Sequence, residues 1–239
     1  MRILAIVPAR GRSARLPGKN IRPLGGRPLI AWSIDVAKEI PDICDVLVST
    51  DDAAIAEVAR AAGAFVPWLR PSALATGTAS SDDVALHALN WYEGARGTVD
   101  GILLLQPTSP FRTRATVSRG IDLFRQQDRR PVVAVSPAGS HPMWCYRLEG
   151  DRMRPFIEGV DVPARSQDLP HAYVLNGALY LISPADFRRH RSFFTENMTP
   201  LVIETMEEAI DIDTEWDWMV AEAFLCALTR SDCSRDTAS

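Results

Sequence analysis

The run Ile3-Leu4-Ala5-Ile6-Val7-Pro8-Ala9-Arg10-Gly11-Arg12-Ser13-Ala14-Arg15-Leu16-Pro17-Gly18-Lys19-Asn20 sets the reading of the whole chain. Its first five residues are apolar without alternation, the pattern of a strand buried on both faces of a parallel sheet. The loop that follows carries Arg10, Arg12, Arg15 and Lys19, two glycines, two prolines and no acid. A chain that leaves a buried strand in this way offers backbone N–H groups and cations to an anion, and its glycines permit close approach. The spacing is not G-x-x-x-x-G-K-[ST], because Asn20 follows Lys19, and it is not G-x-G-x-x-G. A Walker-type ATPase and a dinucleotide-binding dehydrogenase are therefore set aside. The cations exceed what a monophosphate needs and suit a nucleoside triphosphate.

Working outward, Leu24-Gly25-Gly26-Arg27-Pro28 reads as a turn into a helix with Ile30, Trp32, Ile34 and Ala37 as its apolar positions. Val46–Thr50 predicts a second strand, residues 53–62 a helix closed by Gly63, and Ala64–Val66 a brief third strand. A helix capped by Ser80 or Ser81 carries Val84, Ala88, Trp91 and Tyr92. Gly101–Leu105 is the most hydrophobic strand and the expected centre of the sheet, running directly into Gln106-Pro107-Thr108-Ser109-Pro110-Phe111-Arg112. Polar residues just past the C-terminal end of a central strand are where ligands bind in open α/β sheets.

A helix near 115–126 and a strand at 131–136 continue the rhythm, which residues 138–174 then break with four prolines and candidate strands at 144–148 and 153–157. The strand 172–182 is interrupted by Asn176-Gly177, and a short one follows at 200–203. Trp216, Met219, Val220, Ala223 and Phe224 recur at helical spacing in a last helix and read as core packing. The polar tail from Ser231 reads as disordered. The expected architecture is α/β: an open, mostly parallel sheet, one domain over residues 1–230, and a small β-rich arm at about 138–174.

Composition bounds the function. At 239 residues, 46% hydrophobic and with a net charge of −4, the chain is an ordinary globular protein whose overall charge makes no case for nucleic acid or membrane. No apolar run approaches the ~20 residues of a membrane span or the pattern of a signal peptide, so a soluble, cytoplasmic protein is expected. Cys44, Cys145, Cys226 and Cys233 are scattered without a C-x-x-C pair, which fits reduced, mostly structural thiols rather than a zinc or disulfide framework.

Asp211 and Asp213 flank Ile212. On a strand this spacing places both carboxylates on one face. Two acids side by side suit an oxygen-preferring cation, and Mg²⁺ commonly binds through one or two carboxylates plus substrate phosphates. Asp213 also reads as the N-cap of the last helix, with Thr214 as its competitor. His141 and His171 lack a recognisable nucleophile partner, so a hydrolase triad is not supported.

Taken together, six segments in order resemble the sugar-acid cytidylyltransferases, particularly the CMP-N-acetylneuraminate (CMP-sialate) synthetases. They are the loop from Pro8 to Asn20, Val48-Ser49-Thr50-Asp51-Asp52, Leu69-Arg70-Pro71, Leu105 through Arg112, Asn176-Gly177-Ala178-Leu179-Tyr180, and Asp211-Ile212-Asp213-Thr214. The resemblance implies a nucleotidyltransferase fold of the Rossmann-like, nucleotide-diphospho-sugar type. It also implies transfer of CMP from CTP to the anomeric hydroxyl of a 2-keto sugar acid, releasing pyrophosphate. It assigns Arg10, Arg12, Ser13 and Lys19 to the triphosphate, with Arg10 and Lys19 catalytic and Lys19 stabilising charge at the α-phosphate. Asn20, Arg70, Ala79 and Ser81 fall to the cytidine part, and Asp211 and Asp213 to Mg²⁺ and catalysis. Gln106, Arg165, Asn176, Tyr180, Phe193 and Phe194 fall where the family contacts the sugar acid. The arm is implied to form a homodimer and to lend residues to the neighbouring site.

Two departures bear on the acceptor. Where sialate-specific members carry a lysine after His-Pro, this chain has Trp144, and members that activate legionaminic acid resemble it in having an aromatic there. Gly77 stands where many members have an acid. Other readings weighed on the sequence are an eight-carbon keto acid or phosphonate acceptor, a nucleoside-triphosphate hydrolase, and a non-catalytic nucleotide-binding protein of the same fold.

Overall fold

A computed structural model of the chain describes residues 1–13, 15–159 and 165–236. The elements in chain order are β1 (Ile3–Pro8), the short hairpin β2 (Pro23–Leu24) and β3 (Arg27–Pro28), α1 (Leu29–Lys38), β4 (Ile43–Ser49), α2 (Ala53–Ala61), α3 (Ser81–Arg96), β5 (Gly101–Leu104) and α4 (Arg114–Gln126). There follow β6 (Val132–Pro137), β7 (Tyr146–Glu149), β8 (Arg152–Pro155), β9 (Tyr173–Ile182), α5 (Pro184–His190), β10 (Thr199–Val202) and α6 (Glu215–Asp236).

Six strands form one sheet in the order β10-β6-β9-β5-β1-β4. β1 runs parallel to β4 and β5, and β10 parallel to β6, while β9 is antiparallel to both of its neighbours. The expected mostly parallel α/β sheet is observed, with β9 as its single reversed strand. Alternation along β1 divides the core into two faces. Ile3, Ala5 and Val7 pack with α1, α2 and α4, whereas Leu4 and Ile6 pack with Leu89 and Tyr92 of α3 and Phe187 of α5. A third, smaller cluster joins Leu16, Leu24, Leu29, Ile212, Trp218 and Ala221. It pins the cationic loop, the segment before α6 and α6 itself to one another.

Local chemistry explains the element boundaries. Asp52 caps α2 by accepting from the N–H groups of Ala54 and Ile55, Ser80 caps α3 through Asp83, and Thr113 caps α4 through Thr116. β9 carries a bulge, since Val133 faces Tyr180 but Val135 faces Leu175. Gly177 sits there at φ +74°, a conformation that a side chain resists. Asn176 locks the bulge: its Oδ1 accepts from Ala178 N at 3.0 Å and its Nδ2 donates to Ser136 Oγ at 2.9 Å.

Residues 138–172 leave the sheet and return at a closed stem, where Pro137 faces Tyr173 and Ala138 N donates to Ala172 O at 2.9 Å. The excursion contains the β7–β8 hairpin, as the two candidate strands anticipate. Its apolar side chains face solvent: Leu148, Met153 and Phe156 are all well exposed. Residues 160–164 of the arm lie outside the described residues.

Five expectations are corrected. The strand at 64–66 reduces to a single bridge between Leu47 and Phe65. Residues 209–214 form no strand; Ile212 is buried by the third cluster, not by a sheet. The stripe Trp216, Met219, Val220 and Ala223 faces outward, with Phe224 at its edge, because the helix is turned so that Trp218 and Ala221 meet the core. α6 continues through Asp236, so the tail from Ser231 is helical that far, and 237–239 lie outside the described residues. Cys44 and Cys145 are exposed thiols, not structural buried ones.

The two tryptophans of α6 provide a test. Trp218 is 0% exposed, with the Arg22 guanidinium over its ring, whereas Trp216 is 70% exposed. Trp218→Ala is expected to destabilise the fold by about 3–5 kcal/mol. Trp216→Ala should stay within about 0.5 kcal/mol. Denaturant midpoints of the two variants measure the difference.

Candidate active site

The cleft lies across the C-terminal ends of β1, β4 and β5. After β1 the chain is held by backbone and carboxylate together: Ala9 N donates to Ser49 O at 3.0 Å and Gly11 N to Asp51 Oδ1 at 2.9 Å. A Cβ at Gly11 would stand 2.7 Å from Asp52 Oδ2, so only glycine lets the loop lie this close to the end of β4. Asn20, nearly buried, donates from Nδ2 to Arg10 O at 3.0 Å and fixes the loop's return. The loop is thus shaped from within while Arg10 and Arg12 remain exposed.

Arg70 forms the second wall. Its side chain is 8% exposed, donating from Nε to Ser49 Oγ at 3.0 Å and from a terminal nitrogen to Ser49 O. Burial lowers its pKa, Asp51 opposes that, and the neighbouring charge of Arg10 adds to it. Two cations brought together at a strand end suit a polyanion between them.

The acids enter from the opposite side. Thr214 and Asp217 form a reciprocal cap at the start of α6: Asp217 Oδ2 accepts from Thr214 N at 2.7 Å, and Thr214 Oγ1 accepts from Asp217 N at 3.3 Å. Thr214, not Asp213, therefore caps the helix, and both acids before it are free to face the cleft. Lys19 Nζ donates to Asp213 Oδ1 at 2.7 Å and to Ile212 O at 3.1 Å, and Arg15 pairs with Asp213 Oδ2. Asp211 opens into the cleft. Crowding by its walls pushes its carboxyl above the usual range, a hydrogen bond from Thr108 works against this, and the like charge of Asp213 adds to it.

The enclosed space is about 280 Å³. Arg10, Lys19, Asn20, Arg70, Ala79, Ser81, Gln106, Asp211 and Asp213 line it. Nine of the residues singled out in the sequence thus meet around one cavity. Arg12 and Ser13 lie on the same loop but outside this lining. Pro8, Ser80, Val84, Pro107 and Thr108 complete the walls; the sequence marks them as strand end, helix cap, helix position and post-strand stretch without giving any of them a site role of its own. The adjacency of Thr108 to Gln106 was the available signal; nothing in the sequence marks Val84 as anything but a helix core position.

The remaining residues stand apart. Tyr180 is buried and packs on Phe194 with ring centroids 5.4 Å apart, and burial raises its pKa. Phe193 is a core residue whose ring packs at a tilt against Phe187, with centroids 4.7 Å apart. The Asn176 amide is spent on the bulge beside Gln106, whose Oε1 would lie 2.8 Å from a Cβ at Gly177. Trp144 belongs to the arm, 6.2 Å from His141 in a separate cavity of about 330 Å³, and Arg165 is exposed on the same arm.

Comparison with known proteins agrees with the fold and gives the family. The family model described as cytidylyltransferase matches residues 4–129. A CMP-N,N'-diacetyllegionaminic acid synthase of Legionella pneumophila is 37% identical over 228 residues, covering 94% of this chain and 97% of that protein. An N-acylneuraminate cytidylyltransferase of Streptococcus agalactiae is 33% identical over 92% of this chain, which spans about half (52%) of the streptococcal protein. A solved structure of CMP:2-keto-3-deoxy-manno-octonic acid synthetase with CTP superposes with a TM-score of 0.72 over 95% of this chain and 99% of that one, at 16% identity, a likeness of fold. The chain belongs to the cytidylyltransferase family, and it is a nucleotidyltransferase enzyme.

Proposed function

We propose that this enzyme transfers CMP from CTP to the anomeric hydroxyl of a nine-carbon 2-keto sugar acid of the legionaminate type. A bond forms between that oxygen and the α-phosphorus, the bond from the α-phosphorus to the bridging oxygen breaks, pyrophosphate leaves, and the hydroxyl proton passes to solvent. The observation that carries the reading is the convergence of Lys19, Arg10 and the acids Asp211 and Asp213 on one cleft, in a chain 37% identical over nearly its whole length to a legionaminic acid synthase.

Phosphoryl-group transfers are catalysed mainly by positioning and charge stabilisation, which the cations and acids of this cleft can supply. Arg10, Arg12, Ser13 and Lys19 hold the triphosphate, and Lys19, already directed at the acids, stands where charge develops at the α-phosphate. The shelf of Ala79, Ser80, Ser81 and Val84 is made of small residues and fits a pyrimidine ring, with Asn20 and Arg70 beside it.

Asp211 and Asp213 are the residues that would hold Mg²⁺. Among the described residues no third acid, histidine or cysteine joins them. A two-carboxylate set suits an ion that completes its shell with water and phosphate oxygens. When bound, Mg²⁺ would supply Lewis-acid polarisation of the phosphate oxygens. Asp213 is meanwhile neutralised by Lys19 and Arg15, so the pair of carboxylates is not left facing each other unscreened.

The acceptor is assigned to the Gln106 side of the cleft, with Tyr180 and Phe194 packed together outside its lining. Trp144 and Arg165 lie on the arm, whose exposed Leu148, Met153 and Phe156 support a homodimer in which each arm serves the neighbouring cleft. An aromatic at 144 favours a legionaminate-like acid over sialate. No helix among the described residues is long and apolar enough to cross a membrane.

Pyrophosphate release with Mg²⁺, CTP and a panel of N-acetylneuraminic, legionaminic and eight-carbon keto acids is the decisive assay. Release confined to CTP with a nine-carbon acid is expected; pyrophosphate without acceptor points instead to hydrolysis. Asp211→Ala should lower turnover at saturating Mg²⁺ by about 100-fold or more while leaving the melting temperature nearly unchanged. Asp51→Ala, which frees the Gly11 N–H, should weaken CTP binding by roughly tenfold in calorimetry. Trp144→Lys is expected to move the ratio of kcat/KM values toward N-acetylneuraminic acid.

A further inference from the structure

Arg112 is one of the largest fully buried side chains in the protein, 2% exposed, and among the described residues no carboxylate reaches ion-pair distance of it. It donates from one terminal nitrogen to Ser33 Oγ at 2.7 Å and from the other to the carbonyl oxygen of Gln106, while its Nε has no partner. Burying a guanidinium without a contacting carboxylate is costly, and an apolar chain of the same length would fill the space at lower cost. Burial accordingly pulls its pKa down to about 9, and the charges of Asp211 and Glu208 act in the opposite direction.

Those opposing charges show what faces it. The segment 106–113, which leaves β5, is joined to the segment 208–213 by two hydrogen bonds. Ile212 N donates to Thr108 O at 2.8 Å and Thr113 N to Glu208 Oε2 at 3.2 Å, and the Thr108 side chain favours the charged form of Asp211. Arg112 sits behind this junction, anchoring the first segment through the Gln106 carbonyl and attracting the second through the field on Asp211 and Glu208. Ser33 of α1 holds the other arm of the fork and also approaches Gln106 O, at 3.4 Å.

We propose that Arg112 is the positioning residue that sets Gln106 and Asp211 relative to one another across the cleft. It touches neither substrate nor metal; it fixes the two groups that do. The inference rests on the reading of this cleft as the site of CMP transfer, with Gln106 on the acceptor side and Asp211 on the metal.

The test compares wild type, Arg112→Met, Arg112→Lys and Ser33→Ala as full-length proteins. It measures CTP affinity by calorimetry without Mg²⁺, the Mg²⁺ activation constant, acceptor KM, kcat and melting temperature. In Arg112→Met, CTP affinity should hold within about twofold while acceptor KM and the Mg²⁺ constant each rise about fivefold or more. Arg112→Lys keeps the charge and loses the fork, so the Mg²⁺ constant should recover and the acceptor KM should not. Ser33→Ala should raise acceptor KM by a smaller factor. Lower melting temperatures with acceptor KM and Mg²⁺ constant unchanged would make Arg112 a core arginine and overturn the proposal. Should Arg112→Met not fold, unchanged constants in the other two variants overturn it equally. A wild type that binds CTP but transfers to no acceptor removes the functional reading and this inference together, whereas normal wild-type transfer with indifferent variants removes this inference alone.

Discussion

Asp213 between Lys19 and Arg15 is the contact on which the site depends. It joins the first loop of the chain to the segment before its last helix, almost two hundred residues away in sequence. Neither partner is held there by its own backbone alone. The small cluster of Leu16, Ile212 and Trp218 beneath it supplies the apolar burial that brings loop and segment together, and the ion pairs then select one geometry. Exposed ion pairs by themselves contribute little, so the division of labour is clear: burial positions, charge orients.

The same arrangement explains how an acidic pair and the three cations Arg10, Lys19 and Arg70 coexist in one cleft. Asp213 is matched by Lys19 and Arg15, while Asp211, Arg10 and Arg70 line the cleft without an ion pair among the described residues. In the function proposed above, a polyanion with its metal would exchange the Asp213 pairs for others of the same type. Hydrogen bonds tie the surrounding walls. Gly11 is tied to Asp51, Arg70 to Ser49, and Asp217 holds the turn after Asp213.

Much of this was legible in the sequence because it rests on local signals. An unbroken apolar run, a cationic loop and caps such as Ser80 and Thr113 mark strand, anion site and helix starts independently of context. Asp211-Ile212-Asp213 was legible as an alternation but not as a strand. A buried Ile between two exposed acids arises equally on a loop pinned by one side chain. The helix from Glu215 misled for a related reason: helical spacing reveals an apolar stripe but not which way it faces when Trp218 and Ala221 offer a second one. Phe193 and Asn176 occupy expected places in the chain, yet the first is spent on the core and the second on a bulge. Arg112 and Thr108 were legible as members of the stretch after the central strand but not in their individual roles, since nothing in a sequence distinguishes a buried arginine from a solvated one.

The stem at Pro137–Tyr173 gives the arm an unusual freedom. Because entry and exit are hydrogen-bonded side by side, the sheet closes whatever lies between them, and the closure entropy grows only slowly with the length of the insert. The excursion is in effect an interchangeable cassette mounted on the one reversed strand, with its own hairpin, its own cavity around Trp144 and its own apolar surface. Evolution could exchange it wholesale without disturbing the phosphate loop or the acids. A scaffold that handles one nucleotide in a fixed way thereby acquires a replaceable part for everything that varies.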